Sequence, residues 1–374
     1  MAVKVVVAVN SAWNILNFRA GLIKALVSAG YEVVAVAPMD ASAQHLPALG
    51  CRYVELPMDS QGLNPVVDAL LLMRFVRLLR AERPCVYLGY TIKPNIYGSL
   101  AARFLGVRVI NNIAGLGTVF LRDNWLTKIA RLLYWIGLSG SNKVFFQNSE
   151  DRAAFLEHGL VPSAKTDLLP GSGVDLKHFA VHPLPHGGHE RRSIRFLLVA
   201  RMIWEKGVGE FVEAARRLRQ KWPDAEFCLL GFLEVENPSA ISRIQMDAWV
   251  EEGVVQYLGA VSDVRQALID SDCVVLPSYY PEGVPRSLLE AAAMGRPIIT
   301  TDSAGCRNVV TDGVTGYLTK VRDVDDLVEK MSKLIDIGPS ARSEMGRCGR
   351  IKIEQAFDER IVIKKYLEAL AEMG

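Results

Sequence analysis

The chain has 374 residues, half of them apolar, with 43 Lys+Arg against 41 Asp+Glu. That length exceeds one ordinary core and predicts two domains, and a formal net charge of +2 argues against a nucleic-acid binder. Six scattered cysteines with no C-x-x-C pair read as reduced residues of a cytosolic protein.

The first stretch, MAVKVVVAVNSAWN, has an apolar run of only about seven residues and then turns polar, which suits a buried strand and not a signal peptide. No apolar run is long enough to span a bilayer. In chain order, residues 3–10 predict a strand, 18–30 a helix closed by Gly30, and 31–38 the next strand. Strands follow at 51–57, 85–90, 108–115 and 143–148, with helices between. Such alternation predicts a parallel sheet covered on both faces. The rhythm breaks over 172–193, rich in Pro, Gly and His, which reads as an interdomain linker. It then restarts, with a helix at 207–222 and strands at 195–201, 225–231, 254–260, 273–278 and 296–302.

Two doubly wound α/β domains facing across a cleft, at 1–175 and 176–356, follow as the expected architecture. A last helix from about residue 357 either ends the second domain or crosses back to the first. Charge divides unevenly: residues 1–175 hold 17 Lys+Arg and 12 Asp+Glu, or +5, and the remainder 26 and 29, or −3. A basic first half suits anionic lipid or phosphate.

Two motifs carry chemistry. In VARMIWEKGV (199–208), Arg201 and Lys206 stand five apart after a predicted strand. Both can reach one diphosphate and neutralise a leaving group; the alternative is two solvated surface charges. In PEGVPRSLLEAAAMGRP (281–297), a loop carrying Glu282 enters a helix at Pro285, and Glu290 follows about one turn in. Amides from Arg286 to Leu288 then suit a phosphate, and Glu290 suits a diol such as ribose. The alternative makes Glu282 a partner of the helix dipole and Glu290 a solvated helix position.

These residues bring a family into view. VARMIWEKG, followed by YYPEGVPRSLLEAAAMGRPIITTDSAGCRNVVTDGVTGYL, resembles the retaining family 4 glycosyltransferases of the GT-B fold, with the E-x7-E spacing at Glu282 and Glu290. TIKPNIYGSLAARFLGVRVINNIAGLG (91–117) is similar to the subset that extends polyprenyl-diphosphate-linked sugars, nearest to N-acetylgalactosaminyltransferases acting on lipid-linked bacillosamine. The resemblance implies a UDP-sugar donor and a polyprenyl-diphosphate-linked acceptor. It implies Arg201 and Lys206 on the donor diphosphate, Glu290 on the ribose, Glu282 on the sugar, the amides of Ser287 and Leu288 on phosphate, and Gly231 near the base.

It also implies a first loop closing over the diphosphate, with Arg19 as a contact, although Asn10–Ser11–Ala12 stands where many relatives carry a glycine pair. Many relatives place a histidine near the reacting sugar; this chain has none in NNIAG, leaving Asn111 and Asn112 as candidate polar contacts. Lys93 in the IKPN turn is a candidate for the acceptor diphosphate. No D-x-D motif stands in a suitable loop, so no metal and no cofactor is expected. His182, His186 and His189 are close enough for a metal site, but their Pro/Gly-rich setting favours a plain linker.

Two helices, 66–83 with Arg74, Arg77, Arg80 and Arg83, and 124–140 with Trp125, Tyr134 and Trp135, are basic and amphipathic. They either lie on an anionic bilayer or pack their apolar stripe on the sheet. The expected setting is cytoplasmic, peripheral on the inner face of the plasma membrane. Competing functions are a nucleotide-sugar 2-epimerase, which needs acid–base groups around C2; a glycosidase, which needs two carboxylates on one bond; and a non-catalytic sugar or lipid binder, which does not need Arg201, Lys206 and Glu282 together.

Overall fold

The computed structural model describes residues 3–59, 64–115, 125–185 and 193–373. They form two compact units, residues 1–173 with 359–374, and residues 174–358.

The first unit runs β1 (Lys4–Ala8), α1 (Ala12–Phe18), α2 (Ala20–Ser28), β2 (Glu32–Ala37), β3 (Arg52–Glu55), α3 (Pro65–Glu82), β4 (Val86–Tyr90), α4 (Ser99–Phe104), β5 (Arg108–Ile113), α5 (Trp125–Leu138), β6 (Lys143–Phe146), α6 (Ser149–Glu157) and β7 (Thr166–Leu168). The strands form one parallel sheet in the order β3-β2-β1-β4-β5-β6-β7. Val5 pairs with Val33 on one side and Val86 on the other. β1 and β4 are buried almost throughout, as strands covered on both faces must be, which is why they read as continuous apolar runs.

The helix expected at 18–30 is α2, and a second helix, α1, precedes it in the stretch read as leaving the first strand. Ser11 accepts from the Asn14 amide at 3.2 Å and starts α1 early, and Arg19 leaves helical geometry with φ −129° and ψ 0°. α3 has its own start signal: Asn64 accepts from the Val66 amide at 3.0 Å, with Pro65 in the first turn.

The second unit runs β8 (Arg195–Val199), α7 (Val208–Lys221), β9 (Glu226–Leu230), α8 (Arg243–Glu251), β10 (Gln256–Tyr257), α9 (Arg265–Ile269), β11 (Cys273–Leu276), α10 (Arg286–Ala293), β12 (Ile298–Thr301), α11 (Cys306–Val309), β13 (Gly316–Thr319), α12 (Val324–Asp336) and α13 (Gly338–Ala356). Its parallel sheet has the order β10-β9-β8-β11-β12-β13. The direction of winding therefore reverses between β8 and β11, and between β1 and β4 in the first unit. The final helix, α14 (Glu359–Ala371), belongs to the first unit: Val362, Tyr366, Ala369 and Leu370 join the core of β1, β2 and α2.

The linker expected over 172–193 holds at its start, where the units divide between Gly173 and Val174, but its described part to residue 185 packs on the second unit. Val174 and Phe179 are buried in the second unit's core beside Leu288 and Leu289. The fully buried Arg296 holds the carbonyls of His182 at 2.6 Å and Pro183 at 2.9 Å. Two isolated apolar anchors and a distant arginine fasten it, so no periodicity betrays it. His186 and His189 lie outside the described residues. Among the described residues, no cluster of His, Cys, Asp or Glu is arranged to hold a metal.

Candidate functional site

Ligands of open parallel sheets sit beyond the carboxyl ends of the strands, where the winding reverses. In the second unit that place is between β8 and β11. Arg201 and Lys206 follow β8; Glu282 and Glu290 follow β11. Strands far apart in sequence thus deliver two cations and two carboxylates to one sheet edge.

The loop after β8 is held by Glu205. Its carbonyl accepts from the amides of Tyr279 at 2.9 Å and Tyr280 at 3.0 Å and from Ser278 Oγ at 3.2 Å. Its carboxylate accepts from Ser239 Oγ at 2.5 Å. Lys206 forms a short ion pair with Glu282, whose Oε1 also accepts from Ser278 Oγ at 3.1 Å. Lys206 Nζ lies 5.1 Å from the Tyr280 ring centre. Arg201, exposed, reaches the phenol of the same tyrosine. Burial pushes that phenol's pKa up, while Arg201 works in the opposite direction.

Pro285 precedes α10 instead of opening it, with extended ψ of 118°. Its carbonyl accepts from the Leu288 amide at 3.2 Å and the Leu289 amide at 3.3 Å. The Leu288 amide is therefore engaged in the chain's own first turn, unlike the expectation that it meets phosphate. Ser287 is half-buried in that turn. Glu290 pairs with Arg286 at 2.9 Å, one turn back. Burial raises the Glu290 carboxyl, and Arg286 opposes the rise.

Two glycines shape this edge. A Cβ on Gly231 would stand 1.8 Å from the Ala200 carbonyl oxygen, and one on Gly305 would stand 1.7 Å from that of Gly283, next to Glu282. Both have positive φ, so close backbone approach and left-handed geometry each require glycine.

The first-unit candidates are corrected. Asn111 and Asn112 are buried and satisfied within the fold. Asn111 Nδ2 donates to Asn95 Oδ1 at 2.9 Å and Ser99 Oγ at 2.8 Å, and its Oδ1 accepts from Ser141 Oγ at 2.6 Å. Asn112 Nδ2 donates to the Tyr366 hydroxyl of α14 at 3.0 Å. Lys93 is buried on Asp68 at 2.7 Å, and Tyr97 occupies the other carboxylate oxygen at 2.8 Å. Its ammonium points into the α3 contact, not out to an acceptor. Arg19 is buried, 4.4 Å over the Tyr90 ring, and borders a cavity of about 10 Å³ with Phe18, Glu359 and Tyr366. That space holds at most a water, and Arg19 Nη1 donates to the Phe18 carbonyl at 3.2 Å, so within its own unit the guanidinium is engaged with the fold.

Sequence reasoning missed Arg286, Tyr280, Ser278 and Glu205 as site residues. Only Arg286 left a signal, its i, i+4 spacing to Glu290.

Two parallel-sheet units of Rossmann type, with cations and carboxylates at a strand switch point, define a GT-B enzyme. Its sequence matches the family model "Glycosyl transferase 4-like domain" over residues 17–171 and "Glycosyl transferases group 1" over 193–336. The chain belongs to these group 1, 4-like glycosyltransferases. It is 29% identical to the N,N'-diacetylbacillosaminyl-diphospho-undecaprenol alpha-1,3-N-acetylgalactosaminyltransferase of Campylobacter jejuni, over 95% of each chain. It is 26% identical to the UDP-Gal:alpha-D-GlcNAc-diphosphoundecaprenol alpha-1,3-galactosyltransferase of Escherichia coli, over 75% of this chain and 74% of that one. The crystal structure of HepE from Anabaena in complex with UDP-glucose superposes with a TM-score of 0.80 at 18% identity, over 99% of both chains, a likeness of fold.

Proposed function

We propose that this enzyme moves a hexose or N-acetylhexosamine from a UDP-sugar to a polyprenyl-diphosphate-linked saccharide, with retention at the anomeric carbon and without a metal. The observation that carries the reading is the pairing of Lys206 with Glu282, beside Arg201, at the β8/β11 switch point. Both relatives named above act on undecaprenyl-diphosphate-linked sugars by their names, which supports the acceptor class. Arg201 and Lys206 take the donor diphosphate and stabilise negative charge on the departing UDP. Glu290 accepts from the ribose hydroxyls and Glu282 from the donor sugar. The acceptor hydroxyl attacks the anomeric carbon from the face that UDP leaves. Its proton passes to the departing phosphate oxygen, so neither glutamate need serve as base. The setting is the cytoplasmic face of the plasma membrane, where such acceptors present their sugars.

The test is a panel of UDP-sugars with polyprenyl-diphosphate saccharides. UDP release must depend on acceptor, and proton NMR of the product must show the donor's anomeric configuration kept. Tight nucleotide binding without turnover across the panel, or an inverted product, refutes the reading.

A further inference from the structure

α5 carries apolar residues on two faces. Tyr134 and Leu138 point inward, packing with Ile113, Phe146 and Phe155. Trp125, Ile129, Leu132 and Trp135 point outward and are 68%, 45%, 53% and 54% exposed. These four stand at helical spacing, so they form one stripe about 15 Å long with an indole at each end. A helix that only covers a sheet needs one apolar face. The second is unexplained by the fold.

The neighbouring helices repeat the pattern. α4 packs against both α3 and α5, and all three cover the same face of the first sheet, above Val109 and Ile113. The outward row of α3 runs Val66, Leu70, Met73 and then Arg77 and Arg80, all exposed. On α4, Phe104 is exposed beside Arg103.

Charge selects the partner. Besides Lys93, which is buried, the described residues from 64 to 138 contain eight Lys and Arg (positions 74, 77, 80, 83, 103, 108, 128 and 131) and two carboxylates, Asp68 and Glu82. Asp68 is paired with Lys93, and Glu82 with Lys4 and Arg52. The face is therefore apolar with a cationic surround and no unpaired described acid. A cationic surround repels a second copy of itself. An anionic bilayer matches both the apolar stripe and the cations: indoles and aliphatic groups enter the headgroup boundary, and each basic residue near the surface adds attraction.

We propose that the outer face of α3, α4 and α5 is a docking surface for anionic phospholipid bilayers, with the Trp125–Trp135 stripe inserted. The surface stands on exposure and charge alone. Its link to catalysis rests on the lipid-linked acceptor proposed above.

The experiment compares full-length wild type, Trp125→Ala/Trp135→Ala and Arg77→Glu/Arg80→Glu in flotation with phosphatidylcholine vesicles, with and without one third phosphatidylglycerol. Circular dichroism verifies that each exposed-site variant folds. Wild type floats with the anionic vesicles only, and each double variant binds them at least about tenfold more weakly. Vesicle-borne acceptor is turned over more slowly by the variants, while a short-chain, water-soluble acceptor is turned over equally. No binding to either vesicle, or binding that both variants retain, overturns the proposal. So does a wild-type dimer in sedimentation that Trp125→Ala/Trp135→Ala dissolves without any vesicle binding. Flotation reads the surface even if no acceptor in the panel is turned over, so the two readings fail separately.

Discussion

Glu282→Gln separates nucleotide binding from transfer. Glutamine keeps the size of the side chain and an acceptor for Ser278 Oγ, and it removes the charge that faces Lys206. The two side chains are 12% and 11% exposed, so water screens the pair weakly. At an effective dielectric constant of about 20, an ion pair at contact gains roughly 4 kcal/mol before desolvation is charged against it. What survives for a pair of this kind is about 1–1.5 kcal/mol. A diphosphate arriving at Lys206 must give up that amount by displacing Glu282. Removing the carboxylate spares it, so UDP binds Glu282→Gln about five- to tenfold more tightly than wild type. Transfer falls in the opposite direction, by at least about a hundredfold, because the sugar loses its charged acceptor. Titration calorimetry with UDP and acceptor-dependent UDP release read the two effects on one preparation. UDP affinity that is unchanged or weaker in a folded Glu282→Gln refutes the competition; unaffected transfer refutes the role of Glu282.

Arg286→Ala removes the group that opposes the rise of the Glu290 pKa, so the pH below which UDP binding weakens moves upward, whereas Glu290→Gln binds UDP about tenfold more weakly than wild type above that transition, converges with it below, and has no transition of its own; calorimetry across pH distinguishes them. Asp151 is buried, and that burial pushes its carboxyl from 3.8 to about 7. The folded state holds this proton more tightly than the unfolded chain, so stability is fully present below about pH 4 and is lost as pH rises through about 7. Asp151→Asn therefore melts like wild type at the acid end and is more stable by about 2–4 kcal/mol at pH 8, read from thermal melts at each pH. Arg296→Leu leaves the carbonyls of His182, Pro183 and Ser271 without their donor and costs about 2–4 kcal/mol of unfolding free energy in urea titration; loss below about 0.5 kcal/mol would show that this tether is not needed.

What the sequence alone determined was local or periodic. Eleven predicted strands lie in the two sheets, most of them because a strand buried on both faces must be apolar throughout. The two strands it missed, β7 and β13, are edge strands of three and four residues, too short to carry a readable apolar run. Arg201, Lys206 and Glu282 follow the carboxyl ends of β8 and β11, and Glu290 lies one turn into α10, so their placement near the switch point follows from local sequence alone. Partners decided the rest. Asn112 bonds Tyr366, 254 positions away, Lys93 meets Asp68 of α3, and Arg19 lies on Tyr90. A polar residue near a strand end reads alike whether it faces solvent or a buried carboxylate. Only packing chooses, because an unpaired buried charge costs more than any local preference supplies. The same holds for α5: its composition announces an amphipathic helix, and only the folded sheet beneath it decides which apolar face is already covered and which is left for a partner.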